Sequence, residues 1–577
     1  MAKKYLGAYL AASLLLFLAR PSLSVASVYQ WSTTIDSVIS PESKGHPRAY
    51  LWVPDRCDRV RAVVIADQNM EEEQIFQDVE FRKTLAQLGF AEIWIAPSMG
   101  SINFRFDQDD PQVLQATLQS LADKSGYGEI ASAPLVPMGH SATASWGWDM
   151  AAWNPQRVLA VLSISGQWPY FSSKYWGDRN VDQVPGLTTK GEYEIQGSLE
   201  HGWYAGIKGD LYQKHPYEPF TQVVEPGDGH FSASKEKIAL IDLFLRKAAH
   251  YRMAAGPSAD ASHLKPIDAK TTGWLYDVWH LDAPPSAPAA PVLEYQGQKD
   301  HAFWAFDKEM AEAIERFQGQ FRGQKNVLVG YVQKPGITSP TPDHAMVHLK
   351  FEPLEGGLTF KLRGDFWNAV PPTPDGKSSE WEGWLSEGKS QIAQGAPVSH
   401  PADETERMMI APICGPVHQI AADTFQIRFN RVGFDNPKRA NDIWLFLTYP
   451  GDGEYKKMVQ QAELRIPLLN SQGTPQTIDF PKIPDQPAGG AKIKLGATSS
   501  AKVPVYYYVR EGPAEVDDDG NISFTPLPPR SKFPIEVTVV AWQWGRSIDP
   551  KIQSAKPVER TFLILPPKVD ATNVTEK

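Results

Sequence analysis

The chain reads as a doubly wound, mostly parallel α/β sheet over its first half, followed by β-sandwich units. Three observations carry that expectation. Between residues 45 and 253, short apolar runs alternate with segments of helical period, the pattern of parallel strands joined by crossover helices. One junction, Gly139-His140-Ser141-Ala142-Thr143, turns an apolar run directly into a helical stretch. Beyond a proline- and alanine-rich segment at 283–291 the apolar period changes to two and helices become scarce.

The elements follow in order. Residues 49–54 form an early strand, and residues 61–66 form another that runs into Asp67-Gln68-Asn69-Met70. A helix over 79–88 carries apolar Val79, Leu85 and Leu88, and a strand follows at 91–96. The helix over 111–122 lines up Val113, Leu114, Leu118 and Leu121 on one side. The apolar run 133–138 leads through the pentapeptide into a helix containing Trp146 and Met150. Residues 157–166 are nearly continuously apolar and end in glycine, as a strand buried on both faces does. A strand over 185–194 ends in an acidic turn, and a third, 221–224, leads through Glu225-Pro226-Gly227-Asp228 to Gly229-His230-Phe231. An amphipathic helix then runs from Lys235 to about Tyr251.

A serine on a sharp strand-to-helix turn has an exposed hydroxyl with helix N-terminal amides beside it. A hydroxyl is a poor nucleophile at neutral pH; it needs a histidine to take its proton and a carboxylate to orient the imidazole. Ser141, Glu194 and His230 supply serine, acid and histidine in that chain order, each at a strand end. On these residues the stretch 45–253 resembles the α/β-hydrolase superfamily of serine esterases. The resemblance implies an acyl-enzyme on Ser141, with oxyanion donors from the backbone N–H of Ala142 and of Asn69 or Met70. Thr143 departs from the pattern where a glycine is usual, and it bears on the tightness of the turn. Glu192 and Asp228 remain alternatives to Glu194, whereas His140 is expected to point away from the serine. Trp146, Trp168 and Trp176 crowd the segments around the nucleophile and are candidate substrate-binding aromatics, stacking on sugar or aryl rings.

Composition bounds the rest. With 577 residues the chain exceeds a single core, and a net charge of −10 argues against nucleic-acid binding and against attraction to anionic surfaces. Met1-Ala2-Lys3-Lys4, an apolar run over 6–19 and Ser24-Val25-Ala26 read as a cleavable signal peptide over 1–26, implying a secreted or periplasmic protein with no stable membrane insertion after cleavage. Cys57 and Cys414 are the only cysteines, too few for a disulfide framework or a cysteine-based zinc site. His344 and His348 have a ligand-like spacing, but the following residues alternate like a strand. No metal or other cofactor is implied.

The expected organisation is an α/β unit over 27–282, a Pro/Ala linker over 283–291, a mainly β accessory unit over 292–475 and a last unit over 476–577. In the accessory unit one helix, 307–317, precedes strands at 347–351, 358–362, 424–429 and 443–448, with a long polar loop over 370–405. Residues 476–566, with Val503-Pro504-Val505-Tyr506-Tyr507-Tyr508-Val509 and Phe533-Pro534-Ile535-Glu536-Val537-Thr538-Val539, resemble bacterial immunoglobulin-like repeats. The functional expectation is a secreted serine hydrolase acting on carboxylic esters, including acetyl, methyl or feruloyl esters of polysaccharides. A peptidase, lipase or polyester hydrolase shares these features. A non-catalytic carbohydrate-binding or adhesion protein with a degenerate hydrolase unit is the reading from a different class.

Overall fold

The computed structural model describes residues 28–100, 102–193, 211, 213–231, 234–254, 263–340, 346–371, 395–402, 405–431, 433–434 and 436–567. The first unit is built on eight strands: β1 (Trp31–Thr34), β2 (Arg48–Trp52), β3 (Ala62–Asp67), β4 (Phe90–Ala96), β5 (Leu135–His140), β6 (Val161–Ile164), β7 (Gly186–Gly191) and β8 (Phe220–Glu225). Their order is β1-β2-β4-β3-β5-β6-β7-β8. β1 and β2 pair antiparallel, β2 pairs antiparallel with β4, and every later pairing is parallel. This is the sheet of the α/β-hydrolase fold.

The strands are predominantly apolar because helices cover the sheet; all residues of β3, β4, β5 and β8 are buried, the polar ones among them included. The helices are α1 (Glu72–Gln77), α2 (Val79–Leu88), α3 (Asp110–Ser125) and α4 (Ala144–Trp153), with Lys235–Arg252 after β8. Local chemistry sets their ends. Asp78 caps α2 by accepting from the N–H groups of Glu80 and Phe81, and Gly89 ends it in a left-handed conformation.

The Pro/Ala linker expected over 283–291 ends in a short strand. Ala290–Pro291 pairs with Trp274–Asp277, which also pairs with Ala302–Ala305. A proline is tolerated there because the strand is an edge, where its missing N–H leaves no ladder bond unmade. This small sheet docks on β8: the Thr221 hydroxyl donates to the Trp304 carbonyl at 2.7 Å and the Tyr276 hydroxyl to the Gln222 carbonyl at 2.7 Å. The helix Lys308–Gln318 follows, and its Gln318 side chain accepts from Val224 N at 2.8 Å. The elements packed on β8 therefore reach residue 318.

The middle unit stacks one sheet, Val347–Lys350, Met458–Arg465, Asp442–Tyr449 and Met409–Cys414, against shorter strands such as Thr359–Lys361, Thr424–Ile427 and Val417–Ala421. Val347, Phe360, Phe425, Leu445 and Ala462 lie in the core between them. Most of the expected loop 370–405 lies outside the described residues, as does His344. His348 faces Glu463 at 2.8 Å.

The last unit pairs Ile535–Trp542 with both Tyr506–Glu511 and Val558–Leu565, beside a small sheet of Ile493–Lys494, Asn521–Phe524 and Ala514–Val516. It is packed on the first unit: Arg530 lies over the Tyr127 ring at 4.9 Å and pairs with Glu129 at 2.9 Å, and Arg48 pairs with Glu511 at 2.8 Å. The middle unit touches the first through a separate apolar cluster of Met70, Phe231, Ile413, Phe446 and Val459. Both cysteines are free. Among the described residues, no helix is long and apolar enough to cross a membrane.

Candidate active site

β5 ends at His140, and Ser141 follows with φ of 53°, in the left-handed region that a non-glycine residue enters at a cost of about 1–3 kcal/mol. The turn closes so tightly that a Cβ on Gly139 would lie 2.3 Å from the Thr143 carbonyl oxygen. Ser141 is half-buried and Ala142 is exposed, so the hydroxyl can be reached. The Ala142 amide lies in the first turn of the helical run that continues into α4, where N–H groups have no acceptor within the helix.

His230 lies on the loop after β8, and its Nε2 is 2.8 Å from the Ser141 hydroxyl. His140 is engaged with the histidine loop. Its buried ring reaches Nε2 to the His230 carbonyl oxygen at 3.1 Å and packs 5.0 Å from the His230 ring and 5.2 Å from Phe231. It supports the histidine loop from behind, a role its place beside Ser141 in the sequence did not suggest.

Glu194 lies outside the described residues. Of the two alternatives, Glu192 accepts from Gly227 N at 2.8 Å and lies 3.9 Å from Lys456 Nζ. Asp228 is buried and pairs with Lys457 Nζ at 2.6 Å. Both carboxylates are thus engaged with lysines of the middle unit. Contact there is close: Gly227 has φ of 73°, and a Cβ on it would lie 2.3 Å from the Lys457 carbonyl oxygen. Gln461 completes the hold by accepting from Phe231 N at 2.9 Å.

The expected second oxyanion donors need correction. Asn69 N and Met70 N donate to Glu72 Oε2 at 3.2 and 2.7 Å, so both amides are committed to a carboxylate. The loop after β3 turns straight into α1, and a glutamate in the first turn reaches back to these amides as in a capping box. The Asn69 side chain donates to the His140 carbonyl at 2.7 Å, tying the loop to the nucleophile turn.

Two of the three tryptophans also need correction. Trp146 is 2% exposed against Phe104, and Trp176 is 3% exposed with its indole N–H donating to Asp149 at 2.8 Å. Both are core residues. Trp168 is half-buried, with its ring 4.8 Å from that of Phe171, which is 52% exposed.

The run Glu71-Glu72-Glu73, which a sequence would place in solvent, is buried throughout. Glu71 pairs with Lys237 at 2.9 Å, and Lys237 also reaches Glu225 at 3.1 Å, linking α1 to the end of β8. Burial drives the Glu72 carboxyl above its ordinary range against the pull of its hydrogen bonds. Asp67, at the end of β3, is pushed up to about 8 by burial, partly offset by the Met99 amide and the Ser98 hydroxyl. Among the described residues no cluster of three or more His, Cys, Asp or Glu side chains is arranged to hold a metal ion.

No protein-family model matches the chain, and no curated protein matches it. Among solved structures it is similar to a CIB-like hydrolase from Thermoplasma acidophilum (14% identity, 38% of this chain and 99% of that one, TM-score 0.26). It is also similar to an S-formylglutathione hydrolase from Agrobacterium tumefaciens (11% identity, 38% and 94%, TM-score 0.26) and to Est1E from Butyrivibrio proteoclasticus (15% identity, 38% and 99%, TM-score 0.24). The α/β-hydrolase assignment of the first unit rests on its strand order and on the turn at Ser141.

Proposed function

We propose that the chain is a serine hydrolase that cleaves carboxylic esters through an acyl-enzyme on Ser141. The observation that carries this reading is the 2.8 Å approach of His230 Nε2 to the hydroxyl of a serine held at positive φ on the end of a central parallel strand. His230 takes the hydroxyl proton as Ser141 attacks the acyl carbon, and Ala142 N–H receives charge developing on the carbonyl oxygen. The imidazolium then gives its proton to the departing alcohol. Water, activated by the same imidazole, releases the acid in the second half of the reaction. Glu194 is the acid that we assign to orient the imidazole, on its place in the sequence after the strand that precedes β8.

Within this proposal the substrate class is an ester on a polysaccharide, supported by the surface ring of Phe171 and the half-buried Trp168 beside it. Export by an N-terminal signal peptide and an immunoglobulin-like last unit belong to the same proposal. The reading is tested by labelling with a fluorophosphonate probe. Wild-type protein should be labelled and hydrolyse p-nitrophenyl acetate, and Ser141→Ala should do neither. A non-catalytic binding role has one observation in its favour, the engagement of the Asn69 and Met70 amides by Glu72. It would be preferred if the probe left the folded wild-type protein unmodified.

A further inference from the structure

Glu72 sits where two loops meet. Its Oε1 accepts from His140 N at 2.6 Å and from the Thr143 hydroxyl at 2.9 Å, a hydroxyl whose one proton is shared with the His140 carbonyl oxygen, also at 2.9 Å. Its Oε2 accepts from Met70 N at 2.7 Å and Asn69 N at 3.2 Å. The side chain is 1% exposed. His140 and Thr143 bracket Ser141 on the nucleophile turn, and Asn69 and Met70 belong to the loop after β3, so one buried carboxylate joins the two. Thr143, which replaces the glycine usual at the end of the pentapeptide, supplies one of the four donors. Resting on the serine-hydrolase reading above, we infer that Glu72 is a positioning residue that holds the Ser141 turn in its strained conformation by receiving four hydrogen bonds from the two loops.

The chemistry demands a carboxylate. A glutamine of the same shape has one acceptor oxygen and one donor nitrogen. If its nitrogen faces the loop after β3, it meets the N–H groups of Asn69 and Met70. If it faces the turn, the Thr143 hydroxyl can rotate to accept, but His140 N–H still opposes a donor. Either orientation strands at least one buried amide. Aspartate keeps the acceptors but is one methylene too short to reach both loops. Without the clamp, the turn that keeps Ser141 at φ of 53° loses its ties through the His140 amide and the Thr143 hydroxyl, and the alignment with His230 relaxes.

The test compares Glu72→Gln with Glu72→Asp and Glu73→Gln. Glu73 is also buried but bonds Gln77 rather than the turn, so its variant controls for general destabilisation. Two readouts are taken on full-length folded protein: hydrogen exchange of peptides covering 68–72 and 138–143, and the rate of fluorophosphonate labelling with the kcat and KM for p-nitrophenyl acetate. Glu72→Gln is expected to speed exchange in both peptides, to slow labelling and kcat at least 10-fold and to leave KM within 2-fold, with Glu73→Gln near wild type in labelling. Unchanged exchange in Glu72→Gln, or labelling at the wild-type rate, would overturn the inference while leaving the hydrolase reading intact. Failure of the wild-type protein to label or hydrolyse overturns the hydrolase reading, and the inference with it.

Discussion

Lys457→Met isolates the hold that the middle unit has on the catalytic histidine loop. Lys457 is on the middle unit, its side chain 15% exposed, and it pairs at 2.6 Å with Asp228, which is 1% exposed and lies two residues before His230. Methionine preserves most of the side-chain volume but leaves the aspartate without its cation. Breaking a buried pair in this way costs about 3–5 kcal/mol. We take about 3 kcal/mol, because the lysine is not fully buried. That is roughly a 150-fold increase in opening of the loop, and hydrogen exchange of a peptide spanning 225–231 should report it. Because opening displaces His230 from Ser141, kcat/KM for p-nitrophenyl acetate should fall with it. Lys457→Met/Asp228→Asn removes both charges and should recover most of the protection. Exchange within 2-fold of wild type in the single variant would refute the idea that the middle unit secures this loop.

Other outcomes follow from the same structure. Ser141→Ala and His230→Ala should each lower ester hydrolysis by roughly four to six orders of magnitude, and near-wild-type rates in either would remove the mechanism. Glu194→Gln should reduce kcat/KM far more than Asp228→Asn, and the reverse order would move the acid to Asp228. A protein ending at residue 290 should be insoluble or unfolded, because it lacks Ala302–Ala305 and Lys308–Gln318, which cover β8; a soluble, active product would show that this cover is dispensable. Asp67, held protonated to about pH 8 by burial, favours the folded state most below its unfolded value near 4. That contribution drains away at ~1.4 kcal/mol per pH unit until about 8. Asp67→Asn should therefore gain in melting temperature relative to wild type between pH 5 and 8.5, and a constant difference would argue against the shift.

Much of the first unit was legible in the sequence because strands buried on both faces and helices buried on one leave distinct periods. The helix 79–88 was read to the residue; Ser141 was singled out because it directly follows an apolar run, and His230 because it lies on the loop after a later strand. Thr143 appeared in the sequence only as a missing glycine; the fold turns its hydroxyl into a ligand for Glu72. Glu71, Glu72 and Glu73 are indistinguishable by sequence from a solvated acidic turn, since nothing local announces that Lys237, 166 residues on, or the His140 amide will meet them.

Local sequence thus determined where strands, helices and the reactive turn lie, because period, caps and the chemistry of a strand-to-helix serine act over a few residues. Tertiary structure alone decided which carboxylates are buried and paired, which tryptophans are core, and that Lys457 and Gln461 of a separate unit grip the histidine loop. Those outcomes depend on contacts between residues from 27 to 230 positions apart, and the free energy of burying or pairing a charge is set by the partners the fold brings to it.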